Sequence, residues 1–290
     1  MKFRISHLTR YDYDAPLLGE CFMEVRLRPL TVPGEQLCPE HRVTVDPFAP
    51  LFGYDQPGEM GYVSHFVLRG DTHRSLSVSA RSEVETLSEN PFEGLDLLAE
   101  DWNALADPAL RSRWAEFLSP TPLTPFTALW PAAPPPARSV LEYGQALSAA
   151  IFTGFDYVPG STDTTTPLAD FLAQGRGVCQ DYAHLMLSQA RAHGVPARYV
   201  SGYIYAGADG GTHGAGATHA WVELFLPHAG LWKGFDPTNN VLVADRHIKI
   251  AVGRDYADVP PTKGLLRAAP GQALPLETKL EVVVSVEELS

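Results

Sequence analysis

Short apolar runs mark the first part of the chain: Phe3, Ile5 and Leu8, then Phe22 to Leu30, His41 to Val45, Tyr62 to Leu68 and Leu76 to Val84. Pro, Gly and Asp separate them at the spacing of a β-sandwich. Val78, Ala80 and Val84 fit one face of a strand if the register slips once between them. From Asn90 to Ser119 the pattern turns helical, carried by Leu95, Leu97, Leu98, Trp102, Leu105, Leu110, Trp114 and Leu118. The proline-rich stretch from Pro120 to Pro136 cannot sustain a helix interior and reads as an extended connector packed by Phe126 and Trp130. Helices are predicted over residues 139 to 152 and 168 to 173. Beyond them Ala183, Met186, Leu187 and Ala190 form a stripe at i, i+3, i+4 and i+7, and Gly194 with Pro196 supplies the stop. His219 to Pro227 and Leu231 to Phe235 read as buried strands. Leu280 to Glu287 is a strand apolar enough to need cover, and pairing with the N-terminal β region is expected. No internal repeat is evident.

Three polar residues stand at the mouths of these elements. Cys179 follows Gly175 and Gly177 and falls in the first turn of a helix, where free backbone N–H groups and the positive dipole end favour a thiolate. Most lone cysteines are small buried thiols, so this position alone decides nothing. His219 lies where a glycine-rich loop, Ala206 to Thr218, enters a strand, a place that can hold a general base steady. The other nine histidines read as packing or surface residues, His184 on the helix and His213 solvated in the loop among them. Asp236 ends a strand before Pro237, and a turn aspartate bonding its own backbone would also suit that context. Together, a thiol, an imidazole and a carboxylate are the parts of a Cys-His-Asp acyl-transfer site.

Composition narrows the alternatives. At 290 residues and 45% hydrophobic content the chain can bury the cores of two domains. A net charge of −12 without a basic stripe argues against nucleic acid as a partner. No apolar run is long enough for a membrane span, and the N-terminus lacks the apolar core of a signal peptide. Three separated cysteines make no disulfide framework; Cys21 and Cys38 could pair, but a cytoplasmic location, the simplest expectation, leaves all three free. Cys179, His219 and Asp236 are ligand types for zinc, yet no Cys-x-x-Cys or His-Glu-x-x-His accompanies them, so no metal and no cofactor is expected. Arg254, Asp255 and Asp258 read as structural ion-pairing residues.

The runs Gly177-Val-Cys-Gln-Asp-Tyr-Ala-His184, Val195-Pro-Ala-Arg-Tyr-Val-Ser-Gly-Tyr203, His219-Ala-Trp-Val-Glu223 and Phe235-Asp-Pro-Thr-Asn239 resemble the bacterial transglutaminase-like superfamily, whose members are often described as transglutaminase-like cysteine proteases. His247 to Pro261 resembles the segment after the core in that family, and the opening third resembles its β-rich N-terminal domain. The resemblance implies an α+β chain: a papain-like, transglutaminase-core fold with an N-terminal antiparallel β-sandwich-like domain. It implies a triad of Cys179, His219 and Asp236. The corresponding division is an N-terminal β domain over 1–88, a catalytic core over 89–265 including the connector, and a C-terminal extension over 266–290. The expected reaction is hydrolysis of peptide, isopeptide or amino-acid-conjugate amides through a thioester. Transfer to an amine and a binding module without activity are the alternatives. The Cys179 N–H would hold the oxyanion with a second donor. Gln174, Tyr157, Gln180 and Trp221 are the candidates for that donor or for substrate contact.

Overall fold

A computed structural model describes residues 1–70, 72–97, 102–128, 130–134, 138–207, 212–271, 274–275 and 277–289. The strands of the N-terminal part are β1 (Lys2–Leu17), β2 (Gly19–Val25), β3 (Gln36–Asp46), β4 (Phe52–Gln56), β5 (Gly61–Arg69) and β6 (His73–Thr86). Then come α1 (Trp102–Leu105), α2 (Pro108–Arg113), α3 (Ala115–Leu118), α4 (Val140–Gly154), β7 (Asp156–Tyr157), α5 (Leu168–Gln174), β8 (Arg176–Gly177) and α6 (Cys179–Ala192). The remaining strands are β9 (Ala197–Ile204), β10 (His219–Leu226), β11 (Leu231–Asp236), β12 (Val241–Leu242), β13 (His247–Gly253), β14 (Thr262–Ala268) and β15 (Thr278–Glu288).

Two antiparallel sheets organise the chain. One has the order β15-β1-β6-β3. The other runs β12-β11-β10-β9-β13-β5-β2-β14, with β4 on β5. A pairing of Ala251 on β13 with Gly61 on β5 joins strands from both ends of the chain into that second sheet. β15 lies antiparallel to β1 from Phe3↔Glu288 to Tyr13↔Thr278. The fold is α+β, with α6 laid on β9 and β10 and α4 packed on α6, β10 and β11.

Helix α6 forms where the apolar stripe predicts it and is buried almost throughout. Leu185, Met186 and Leu187 meet Ala220, Val222, Leu224 and Leu226 of β10 in one core. Each of these Leu, Met and Val side chains removed from water stabilises the fold by about 1.5–3 kcal/mol. Every residue of β10 is buried, because Trp221 packs on the other side of the sheet with Val200 and Val252.

Several local expectations change. The buried face of β6 stays in register at Leu76, Val78, Ala80, Ser82 and Val84, so no slip occurs. The sequence hid this because Ser82 is polar; it bonds His41 Nδ1 at 2.9 Å. On β1 the buried side is Phe3, Ile5, His7 and Thr9, and Leu8 faces the other way. His7 Nε2 meets the Thr9 hydroxyl at 2.8 Å, and Tyr203 bonds His7 Nδ1 at 2.9 Å. The run from Phe22 leaves β geometry after Val25. The helical stretch after Asn90 is three short helices, because Asp107 caps a new start at Pro108 and Trp114 leaves helical geometry. Leu98, Pro135, Pro136 and loop positions 208–211 lie outside the described residues.

Candidate active site

Cys179 is the first residue of α6, half-buried, and its N–H lies in the turn where a helix offers no acceptor of its own. The helix start is fixed by Asp181, which accepts the Val178 N–H at 2.8 Å and the Thr162 hydroxyl at 2.6 Å. Gly177 allows this closure, since a Cβ there would press on Asp181 Oδ2 and the Phe171 ring. Burial is the main influence on the Asp181 carboxyl and moves it above the ordinary aspartate value.

His219 opens β10 and is fully buried. Its Nε2 donates to Asp236 Oδ2 at 2.8 Å. Among the described residues Nδ1 meets no partner at full hydrogen-bond geometry, and the Cys179 thiol lies close enough to bias the ring's charge. Burial works against the imidazolium, but the charge and hydrogen bond of Asp236, with the neighbouring Cys179, outweigh it and raise His219 well above the ordinary imidazole value. For Asp236, burial works towards the neutral acid; the charges and hydrogen bonds of His219 and His247 reverse this and hold it far below the usual carboxylate range. The carboxylate is crowded with donors: Oδ1 accepts from the N–H groups of Thr238 (3.0 Å) and Asn239 (3.3 Å). Oδ2 accepts from Asn239 Nδ2 (2.8 Å) and His247 Nε2 (3.2 Å) besides His219.

The loop before His219 closes on this group. Gly214 has φ of +86°, and a Cβ there would collide with His219 Nδ1, so glycine alone lets the loop pass over that nitrogen. The His213 ring stands 4.5 Å from the Tyr157 ring, centroid to centroid. Tyr157 is half-buried, on β7 beside Gly177 of β8. Burial, with the charges of Cys179 and Asp236, pushes its hydroxyl up to about 12, so it remains a donor at neutral pH.

Residues 133–237 match the family described as the transglutaminase-like superfamily, and residues 3–85 match the bacterial transglutaminase-like N-terminal region. An uncharacterized protein of Mycobacterium leprae is 35% identical over 100% of this chain and 99% of its own. The chain belongs to the transglutaminase-like superfamily. An uncharacterized protein of Mycobacterium tuberculosis is 34% identical over 91% of this chain and 87% of its own. A protein-glutamine gamma-glutamyltransferase of Pseudomonas aeruginosa is 37% identical over 33% of this chain and 16% of its own. Among solved structures, a candidate cysteine protease from Cytophaga hutchinsonii aligns with a TM-score of 0.70 at 21% identity, covering 100% of this chain and 92% of that one. That likeness carries the fold, a transglutaminase-like core with its β-rich N-terminal partner.

In this transglutaminase-like chain the structure brings Cys179, His219, Asp236 and Tyr157 together. Gln180 is buried beside Cys179, its amide Nε2 unpartnered among the described residues. Gln174 is exposed at the end of α5, before the left-handed turn at Gly175. Trp221 is fully buried and packs edge-on against His247 at 5.3 Å. His184 is a packing residue: it is buried against Tyr199 and accepts the Tyr256 N–H at 3.3 Å. His213, expected to be solvated, is exposed but held against Tyr157. Sequence reasoning missed Asp181, Asn239 and His247. Asp181 at the third helical position had a capping signal in plain view; His247 had none, because its partner lies across two strands.

Among the described residues, His219, Asp236 and His247 form a group with ligand atoms within 4.8 Å of one another. It differs from the Cys179-containing set weighed from the sequence. Both imidazoles and Asn239 already bond the same carboxylate oxygen, which is the arrangement of a hydrogen-bonded hub. Behind it lies a cavity of about 260 Å³ lined by Trp221, Glu223, Lys233, His247 and Lys249, away from Cys179. Its charges are tightly paired: Glu223 meets Arg198 and Lys249 at 2.6 Å each. Burial would raise the Glu223 carboxyl, but those two cations hold it down at about 2. No described helix is long and apolar enough to cross a membrane.

Proposed function

We propose that this protein is a thiol-dependent acyl-transfer enzyme that hydrolyses amide bonds of peptides, proteins or amino-acid conjugates. The observation that carries the reading is His219, tied through Nε2 to Asp236 and leaving Nδ1 towards the thiol of Cys179 at a helix start. In this scheme Nδ1 takes the thiol proton, and the Cys179 thiolate adds to the amide carbon. The oxyanion is met by the Cys179 N–H, with the protonated Tyr157 hydroxyl as second donor. The C–N bond breaks as Nδ1 returns the proton to the leaving amine, leaving a thioester. Water then adds, its proton passes to Nδ1, and the acid departs as the thiol is restored. Asp236 keeps the tautomer and supports the imidazolium without taking the proton. Three unpaired cysteines suit action in a reducing cytoplasm.

Transfer of the acyl group to an amine is the second reading, favoured by the local similarity to the gamma-glutamyltransferase. The same triad serves both, and water needs no subsite of its own.

The test is the rate of iodoacetamide alkylation against pH, followed by intact mass and peptide mapping, for the wild type, His219→Ala and Cys179→Ala. We expect fast labelling confined to Cys179, persisting into mildly acidic solution and lost without His219. Slow labelling that His219→Ala leaves unchanged would falsify the enzyme and leave a binding module. Incubating a glutamine-containing peptide with and without a primary amine then separates hydrolysis from transfer by product mass.

A further inference from the structure

We infer that Asn239 is a positioning residue that couples the described loop segment at residues 213–216 to the triad carboxylate, an inference that rests on the acyl-transfer reading of Cys179 and His219. One side chain serves both partners. Asn239 Nδ2 donates to Asp236 Oδ2 at 2.8 Å and to the His213 carbonyl at 3.2 Å. Asn239 Oδ1 accepts the His213 N–H at 2.9 Å. The two loop contacts dock His213 against Tyr157, and the next residue, Gly214, passes over His219 Nδ1.

A second tie closes the far end of the same segment. Val284 N–H, on β15, donates to the Gly216 carbonyl at 3.1 Å. The described part of the loop is thus held by a side chain from the turn after β11 and by a strand of the other sheet. His219 is fully buried as a result, and the amine or water that must exchange a proton with Nδ1 meets Gly214 first. Asn239 therefore sets two properties at once: the aim of Asp236 at His219, and the access of bulky groups to the thiol–imidazole pair. The ionisable side chains gathered around it are Asp236 on β11, His219 on β10, His247 on β13 and His213 in the loop.

Two substitutions separate these roles. Asn239→Ala removes the donor to Asp236 and both loop contacts. Asn239→Asp keeps an acceptor for the His213 N–H but sets a carboxylate oxygen beside Asp236 Oδ2. Cys179 is labelled with iodoacetamide and with fluorescein-tagged iodoacetamide across pH, and amide exchange at His213 is followed by mass spectrometry. Both variants should lose roughly tenfold in iodoacetamide rate at neutral pH, the usual cost of removing an orienting partner. The Asn239→Asp loss should shrink in acid, where the introduced carboxyl regains a proton to donate. In Asn239→Ala alone, His213 exchange should quicken and the ratio of tagged to untagged labelling should rise about threefold as the loop opens. Wild-type rates and protected His213 in Asn239→Ala would overturn the inference. So would equal losses in both variants with unchanged pH dependence and matching falls in Tm, which mark simple destabilisation. If wild-type Cys179 shows no labelling that depends on His219, the acyl-transfer reading itself fails; faster His213 exchange confined to Asn239→Ala would still support the docking half.

Discussion

At Cys179 the chain is fixed by a whole helix: α6 is buried along its length, and Asp181 bonds both Val178 and Thr162 at its start. Residues 212–218, which cover the other partner of the site, are held by the side chain of Asn239, the His213 ring set against Tyr157 and one backbone bond from Val284. Cys179 sits at the start of a core helix, whereas the cover over His219 rests on a few exposed contacts. The placement of Cys179 and the cover over His219 thus rest on different parts of the molecule, and Asn239 links the cover to Asp236.

The largest effect should come from acid on two buried histidines, His184 of α6 and His7 of β1. Burial lowers His184 to about 3 and His7 to about 4, both below the free imidazole value of 6.5. The unfolded chain then takes up protons first, so stability falls as pH drops below 6.5, at about 1.4 kcal/mol per pH unit for each histidine. Urea midpoints measured between pH 6.5 and 4 should show this slope, flattened in His184→Gln. An unchanged slope in that variant would move the acid sensitivity elsewhere.

Next in size is Asp181→Ala, which strips the bonds to Val178 and Thr162 and should cost about 1–2 kcal/mol. Urea denaturation gives the cost, and iodoacetamide labelling of Cys179 should slow while His213 exchange stays as in the wild type. Faster His213 exchange would show that the two supports are not separate. The smallest effect is expected from Val284→Pro, which removes the N–H bonded to Gly216 on an edge strand that tolerates proline. Labelling by the tagged reagent should rise about twofold. Val284→Ala keeps the N–H and controls for lost packing; the same rise there would count against the tie.

The rigid half was the legible half. The stripe from Ala183 to Ala190, with its stop at Gly194, predicts α6, because a buried helix must repeat its apolar positions at its own period. β10 was equally readable as a dense apolar run opening at His219. What the sequence could not show is where polar side chains meet across elements. Ser82 and His7 sit on buried faces because His41, Thr9 and Tyr203 satisfy them, and no local pattern names such partners. Asn239 and His247 belong to the same class: their contacts with Asp236 exist only once β10, β11 and β13 are assembled. The stretch after Asn90 misled for another reason, since an apolar period continues across breaks that Asp107-Pro108 and Trp114 impose.

The pairing of β15 with β1 also gives the chain an order of events in time. Strand β1 has as its neighbour one made only after Cys179, His219 and Asp236 have been synthesised. Until residues 278–288 emerge, the nascent chain holds these three side chains without the strand that ties down Gly216. The cover over His219 therefore depends on a strand synthesised later than every residue it covers.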